Sequence, residues 1–214
     1  MRFGPIDVEH DEEVLTPRPW TLDQSEWAAE LPAGPMLELG CGAGHIGLAA
    51  AVLTGSPLVQ VDRSAAACRW AARNGKAAGV AARVEQRCGR PEDVLRDDER
   101  FAVVIADPPY VESSGVGRFP HDPKSAIDGG EDGLELVRTF LTVAAEHLAP
   151  GGSVVLQLGA PDQIDAVASW LRQPDAPGLA VVERRVVAED RSLVLLRVPN
   201  GGAAGESVVG PDTG

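Results

Sequence analysis

Short apolar blocks alternate along this chain with stretches of helical periodicity. "PMLEL" (35–39) is apolar; a glycine-rich turn and an Ala/Leu-rich helical stretch, "HIGLAAAVLTG" (45–55), follow it. "PLVQVD" (57–62) is a second apolar run, ending in an acid, and "SAAACRWAARNGKAAG" (64–79) reads as the next helix with Ser64 as its N-cap. "ARVEQR" (82–87) is a weak third strand and "FAVVIA" (101–106) a strong fourth. Leu134, Val137, Leu141, Ala144, Ala145 and Leu148 recur at helical spacing, which predicts a helix over residues 131–148. "PGG" (150–152) stops it, "SVVLQLG" (153–159) is the fifth strand, and "PDQIDAVASWLRQ" (161–173) another helix. "LAVVERRVVAEDRSLVLLRV" (179–198) folds as two strands about a turn at Glu189-Asp190. Such alternation specifies an α/β fold, a mostly parallel sheet with helices on both faces.

The pattern divides the chain into an acidic N-terminal segment (1–30), one α/β domain (31–198) and a Gly-rich tail (199–214) expected to lack order. One connection breaks the alternation: residues 111–130 have no periodicity and follow the fourth strand directly. Structureless connections of that length are uncommon inside compact domains and tend to be lids or binding loops.

Composition narrows the class. A net charge of −13 works against non-specific polyanion binding. Arg69, Arg73, Lys76, Arg83, Arg87 and Arg90 form the one basic cluster, read as a solvated helix face and strand edge. No apolar run approaches membrane-spanning length, and the acidic N-terminus has no signal-peptide pattern. Three cysteines without CxxC spacing argue against a disulfide framework or a zinc site, and four scattered histidines give no metal pair. These features fit a cytoplasmic protein with no membrane partner.

Two constellations carry chemistry. Glu38-Leu39-Gly40-Cys41-Gly42-Ala43-Gly44 stands where the first strand gives way to a helix, and Asp62 ends the next strand, where an acid grips ribose hydroxyls. Together they predict nucleoside binding, with Arg63, Arg90 and Asp107 near the ligand. Glu38 would repel a pyrophosphate but attract the cationic amino group of a methionine moiety, which favours S-adenosylmethionine over a dinucleotide. The second constellation is "ADPPY" (106–110). Two prolines cannot continue a sheet ladder. At the end of a central strand, Asp107 and the Pro108 carbonyl can each accept a hydrogen from one –NH2 group. Pro109 and Tyr110 would then face the flat amide or base that bears the nitrogen.

"ELGCGAG", "VDRS" and "ADPPY", in this order, resemble the class I S-adenosylmethionine-dependent N-methyltransferases. "VLTPRPWT" (14–21), "DPKSAIDGGEDGL" (122–134) and "HLAPGGSVVLQLG" (147–159) sharpen the likeness to the HemK/PrmC-like protein glutamine methyltransferases, over nearly everything from Val14 to Val198. That resemblance implies a Rossmann-like sheet of seven strands with the last antiparallel, S-adenosylmethionine as methyl donor, and a release-factor-like protein substrate contacted by Arg18 and Thr21. Three departures stand out. The family's NPPY is DPPY here, a form more usual among nucleobase amino-methyltransferases. Gly89-Arg90 replaces an acidic–aromatic pair beside the adenine. Only about thirty residues, most of them outside any motif, stand where bacterial members carry a substrate-recognition domain. A small activating partner subunit, a nucleobase or a small-molecule substrate therefore remain open; the acidic loop beside the site disfavours nucleic acid.

Overall fold

A computed structural model describes residues 1–199; the predicted tail at 199–214 lies, beyond its first residue, outside the described residues. The chain opens with a two-residue-per-strand hairpin, β1 (Arg2–Phe3) and β2 (Ile6–Asp7), then α1 (Leu22–Glu30). There follow β3 (Met36–Leu39), α2 (His45–Thr54), β4 (Leu58–Asp62), α3 (Ala65–Ala77), β5 (Val84–Cys88), α4 (Pro91–Val94) and β6 (Phe101–Ala106). α5 (Lys124–Ile127), α6 (Glu135–His147), β7 (Leu148–Leu158), α7 (Pro161–Trp170), β8 (Ala180–Ala188) and β9 (Arg191–Arg197) complete it. Seven strands form one sheet in the order β5-β4-β3-β6-β7-β9-β8. All pairs from β5 to β7 are parallel, while β9 is antiparallel to both β7 and β8.

Every residue of β3 is buried, as a central parallel strand covered on both faces requires. One core lies on the side of Trp27, Met36, Leu48, Ile105 and Leu195, the other on the side of Leu37, Val104, Leu141, Leu156 and Ile164. After β3 the chain winds outward through β4 and β5, then returns to lay β6 on the other flank of β3. The strand order reverses between β3 and β6. Open α/β sheets bind ligands at that crevice, beyond the carboxyl ends of the strands. Gly40 and Asp107 are the first residues past those ends.

Several expectations need correction. Residue 31 is no packing boundary: Phe3, Ile6, Val8, Val14, Trp27 and Ala28 all belong to the core, so the acidic segment 1–30 is integral to the domain. Its acids lie outward while every few residues an apolar side chain turns in, a spacing too irregular to register as periodic. β7 starts at Leu148, ahead of Pro150-Gly151-Gly152, and the register jumps from Phe101↔Leu148 to Val103↔Ser153 to accommodate them. α6 starts at Glu135, because Asp128 and Asp132 turn back onto the backbone N–H groups of Gly130 and Leu134 instead of entering a helix. The 111–130 connection is partly structured, with a 3-10 segment (Ser113–Arg118), α5, and a bridge between Val111 and Asp128.

The basic cluster is also not uniformly solvated. Arg87 is 9% exposed; its guanidinium holds both Glu99 oxygens at 2.7 Å and Glu85 at 2.9 and 3.0 Å. These bonds pull the Glu99 carboxyl down to about 2. Because that value lies below the ordinary one, the pair stabilises at neutral pH and its contribution is lost as pH falls through the carboxylate range toward 2. Glu99→Ala leaves a buried guanidinium short of its main partner and is expected to cost about 3 kcal/mol at pH 7 by chemical denaturation. The deficit relative to wild type should shrink as acid is added.

Candidate active site

The glycine-rich loop turns sharply off β3 because the N–H groups of Gly40 and Cys41 both donate to the Val61 carbonyl, at 2.8 and 3.1 Å. Gly42 has φ +54, and a Cβ built there would meet nothing within 4 Å. What it would meet is the interior of a cavity of about 490 Å³, within the range of small-molecule sites. Gly40, Cys41, Gly42, Asp62, Arg63 and Arg90 all line it, as expected for the nucleoside end. Asp62 is held in place by two backbone donors: Gly42 N reaches one oxygen at 2.9 Å and Ser64 N the other at 2.8 Å. Each oxygen keeps further acceptor capacity, and Asp62 lines the cavity.

Two residues of the glycine constellation are not where the sequence placed them. Glu38 is 2% exposed and does not line the cavity. Its carboxyl accepts from Gly47 N at 3.0 Å and Gln60 Nε2 at 2.5 Å, while Gln60 also donates to the Gly44 carbonyl. Glu38 thus ties the loop to the first turn of α2; burial raises its pKa to about 7. Alternation along β3 decides this. Glu38 points into one face of a sheet covered on both sides, so the side chain has nowhere else to go. Gly44 likewise sits behind the loop, its Cα facing Ala71 and Gln60.

The "DPPY" end of β6 forms another wall. Asp107 and Pro109 line the cavity; Pro108 is buried behind them. Burial alone pushes the Asp107 carboxyl up to about 7. Among the described residues, no hydrogen bond reaches the Asp107 carboxylate or the Pro108 carbonyl. Tyr110 does not line this cavity. Its ring passes beside Gly159, and burial with the nearby Asp107 charge raises its phenol pKa.

Arg18 and Thr21, expected to contact substrate, each have partners within the chain. Arg18 forks onto both oxygens of Asp122, each at 2.7 Å, joining the N-terminal segment to the 111–130 connection. Thr21 is buried, donates to the Arg18 carbonyl at 2.8 Å, and meets His45 Nε2 at 3.2 Å. Desolvation lowers the His45 pKa to about 3, so its ring is neutral at physiological pH. The segments these residues anchor do reach the site: Val14 and Leu15 from one, Pro123 and Ala126 from the other, close over the cavity. No pattern in the sequence signals that Val14 and Leu15 would arrive there. The motif around them was legible, but its contact was not.

Comparison with known proteins identifies the family and the fold. The family described as "Methyltransferase small domain" matches residues 24–119. The ribosomal protein uL3 glutamine methyltransferase of Bradyrhizobium diazoefficiens is 35% identical over 74% of this chain and 54% of its own length. The release factor glutamine methyltransferase of Cereibacter sphaeroides is 34% identical over 87% of this chain and 68% of its own. This chain thus spans little more than half of some curated relatives. Among solved structures, a ribosomal protein L11 methylase from Lactobacillus delbrueckii subsp. bulgaricus has the same fold (TM-score 0.64, 13% identity, 88% of this chain and 83% of that one).

Asp107 makes a prediction about stability. Its folded pKa, about 7, exceeds the ordinary 3.8, so the folded state pays increasingly for the charge as pH rises between those values. Asp107→Asn removes that cost. The variant's melting temperature is expected to gain on wild type as the buffer is raised from about pH 4 to pH 7, and the gap to stay level above that. A pH-independent gap would mean the carboxyl is not buried as described.

Proposed function

The chain belongs to the HemK-type glutamine methyltransferase family, and from that premise we propose that it methylates the side-chain amide nitrogen of a protein glutamine. S-adenosylmethionine, when bound, supplies an electrophilic methyl group on a sulfonium. The cavity's own features support that donor: Gly42 opens onto free space, Asp62 retains acceptor capacity for ribose hydroxyls, and Arg63 and Arg90 flank it.

The observation that carries the reading is the pair of unsatisfied acceptors at the exit of β6. Asp107 and the Pro108 carbonyl are set to take the two hydrogens of one –NH2 group, which orients its lone pair for in-line attack. As the N–C bond forms and the C–S bond breaks, the nitrogen becomes positive, and a carboxylate beside it stabilises that charge. With a pKa of about 7, Asp107 can also take the proton the nitrogen then sheds and pass it to water. Tyr110, one residue beyond the cavity wall at Pro109, offers its ring to the plane of the entering amide.

The acceptor we favour is a release factor or ribosomal protein, as the relatives' names describe for those proteins, reached in the cytoplasm, with a small activating subunit as a further partner. A nucleobase or metabolite amine is the second reading, and the carboxylate at position 107 is what favours it.

Methyl-labelled S-adenosylmethionine, offered with release factor, uL3, tRNA and a metabolite pool, separates these. Label on a protein glutamine, with the rate reduced about a hundredfold or more in Asp107→Ala, is the expected result. The wild-type rate should rise with pH up to about 7 and then level, as the carboxylate form accumulates. Label confined to RNA or metabolites would contradict the protein acceptor.

A further inference from the structure

The DPPY turn has a problem of satisfaction that side chains solve. β6 keeps register with β7 as far as Ala106↔Leu156, after which Pro108 and Pro109 have no N–H to offer. Even so, the carbonyls that flank the motif are bonded. Gln24 of α1, fully buried, donates its amide to Ala106 O and to Val155 O, both at 2.9 Å, bridging β6 and β7 just before the turn. Gln163 of α7 donates to Tyr110 O at 2.8 Å and accepts from Gly159 N at 2.9 Å, tying the last residue of the turn to the end of β7. Gly133 leaves room for this second amide: a Cβ there would come within 2.6 Å of Tyr110 O and 3.0 Å of Gln163 Nε2.

We infer that Gln24 and Gln163 are positioning residues, two amide braces that fix both ends of the DPPY turn and so set the aim of the Asp107 carboxylate and the Pro108 carbonyl. Neither lines the cavity, so neither acts by holding the methyl donor. The Gln24 oxygen is buried without a partner, which means that its N–H groups, and not its acceptor, account for an amide at that position. Between the braces, the Asp107 carboxylate and the Pro108 carbonyl have no hydrogen-bond partner among the described residues. This inference rests on the methyl-transfer reading for its kinetic consequence but not for its geometry.

The test compares Gln24→Leu and Gln163→Leu with wild type, each checked for folding by circular dichroism, with Gln24→Glu and Gln163→Glu as near-isosteric alternatives should a leucine variant not fold. Three quantities are read: the S-adenosylmethionine Kd by calorimetry, kcat and KM for the methyl acceptor, and the Asp107 titration by carboxyl carbon NMR. We expect kcat to fall at least about tenfold with Kd within about twofold. The Asp107 pKa should drop by about one unit as the loosened turn admits water. A kcat that is unchanged, or that falls only in step with loss of S-adenosylmethionine binding, overturns the positioning role. If wild type binds S-adenosylmethionine but methylates nothing, the methyl-transfer reading fails by itself. The braces then stand or fall on the NMR titration, where an unshifted Asp107 overturns them.

Discussion

Two adjacent prolines at the end of a central strand impose the constraint on which the rest of the site depends. They withdraw two N–H donors from a place where the sheet would otherwise use them. Something else must then satisfy the carbonyls nearby, or they remain free. Here the flanking carbonyls are taken by Gln24 and Gln163, and the bridge of Val111 to residues 127–129 closes the turn from outside, with Val111 N on Ile127 O at 3.0 Å and Gly129 N on Val111 O at 2.8 Å. The Asp107 carboxylate, which lines the cavity, and the neighbouring Pro108 carbonyl remain without a partner among the described residues. Rigidity around unsatisfied acceptors is what a binding site for an –NH2 group requires.

The same economy of donors explains the acids. Asp62 and Asp107 lie close enough to Glu38 for their charges to add to the effect of burial in raising its pKa. Glu38 is satisfied by Gln60 and Gly47, and Asp62 by Gly42 and Ser64. Asp107 has no such donor among the described residues, which leaves an unmet demand for a donor or a positive charge. A sulfonium donor and a nitrogen that becomes cationic during reaction would both answer it.

Much of this was legible from the chain. The strands, their alternation with helices, the glycine loop, Asp62 and the DPPY turn follow from apolar runs and turn residues whose spacing is local. Assignments that depended on which way a side chain points fared worse. Glu38 belongs to the glycine motif yet turns into the core, because a four-residue strand buried on both faces gives it no alternative. Arg18 and Thr21 sit in a recognisable motif, but their partners, Asp122 and His45, come from distant parts of the chain. Gln24 and Gln163 carry no pattern at all. A buried glutamine and an exposed one look alike until the fold brings a carbonyl to each.

The account is tested most directly by a crystal structure of the protein with S-adenosylhomocysteine and a glutamine-containing acceptor peptide. It predicts the glutamine amide nitrogen within hydrogen-bonding distance, about 3 Å, of both the Asp107 carboxylate and the Pro108 carbonyl, with the sulfur in line behind it in the cavity beneath Val14 and Leu15. A glutamine bound elsewhere, or those two acceptors turned to other partners, would contradict it.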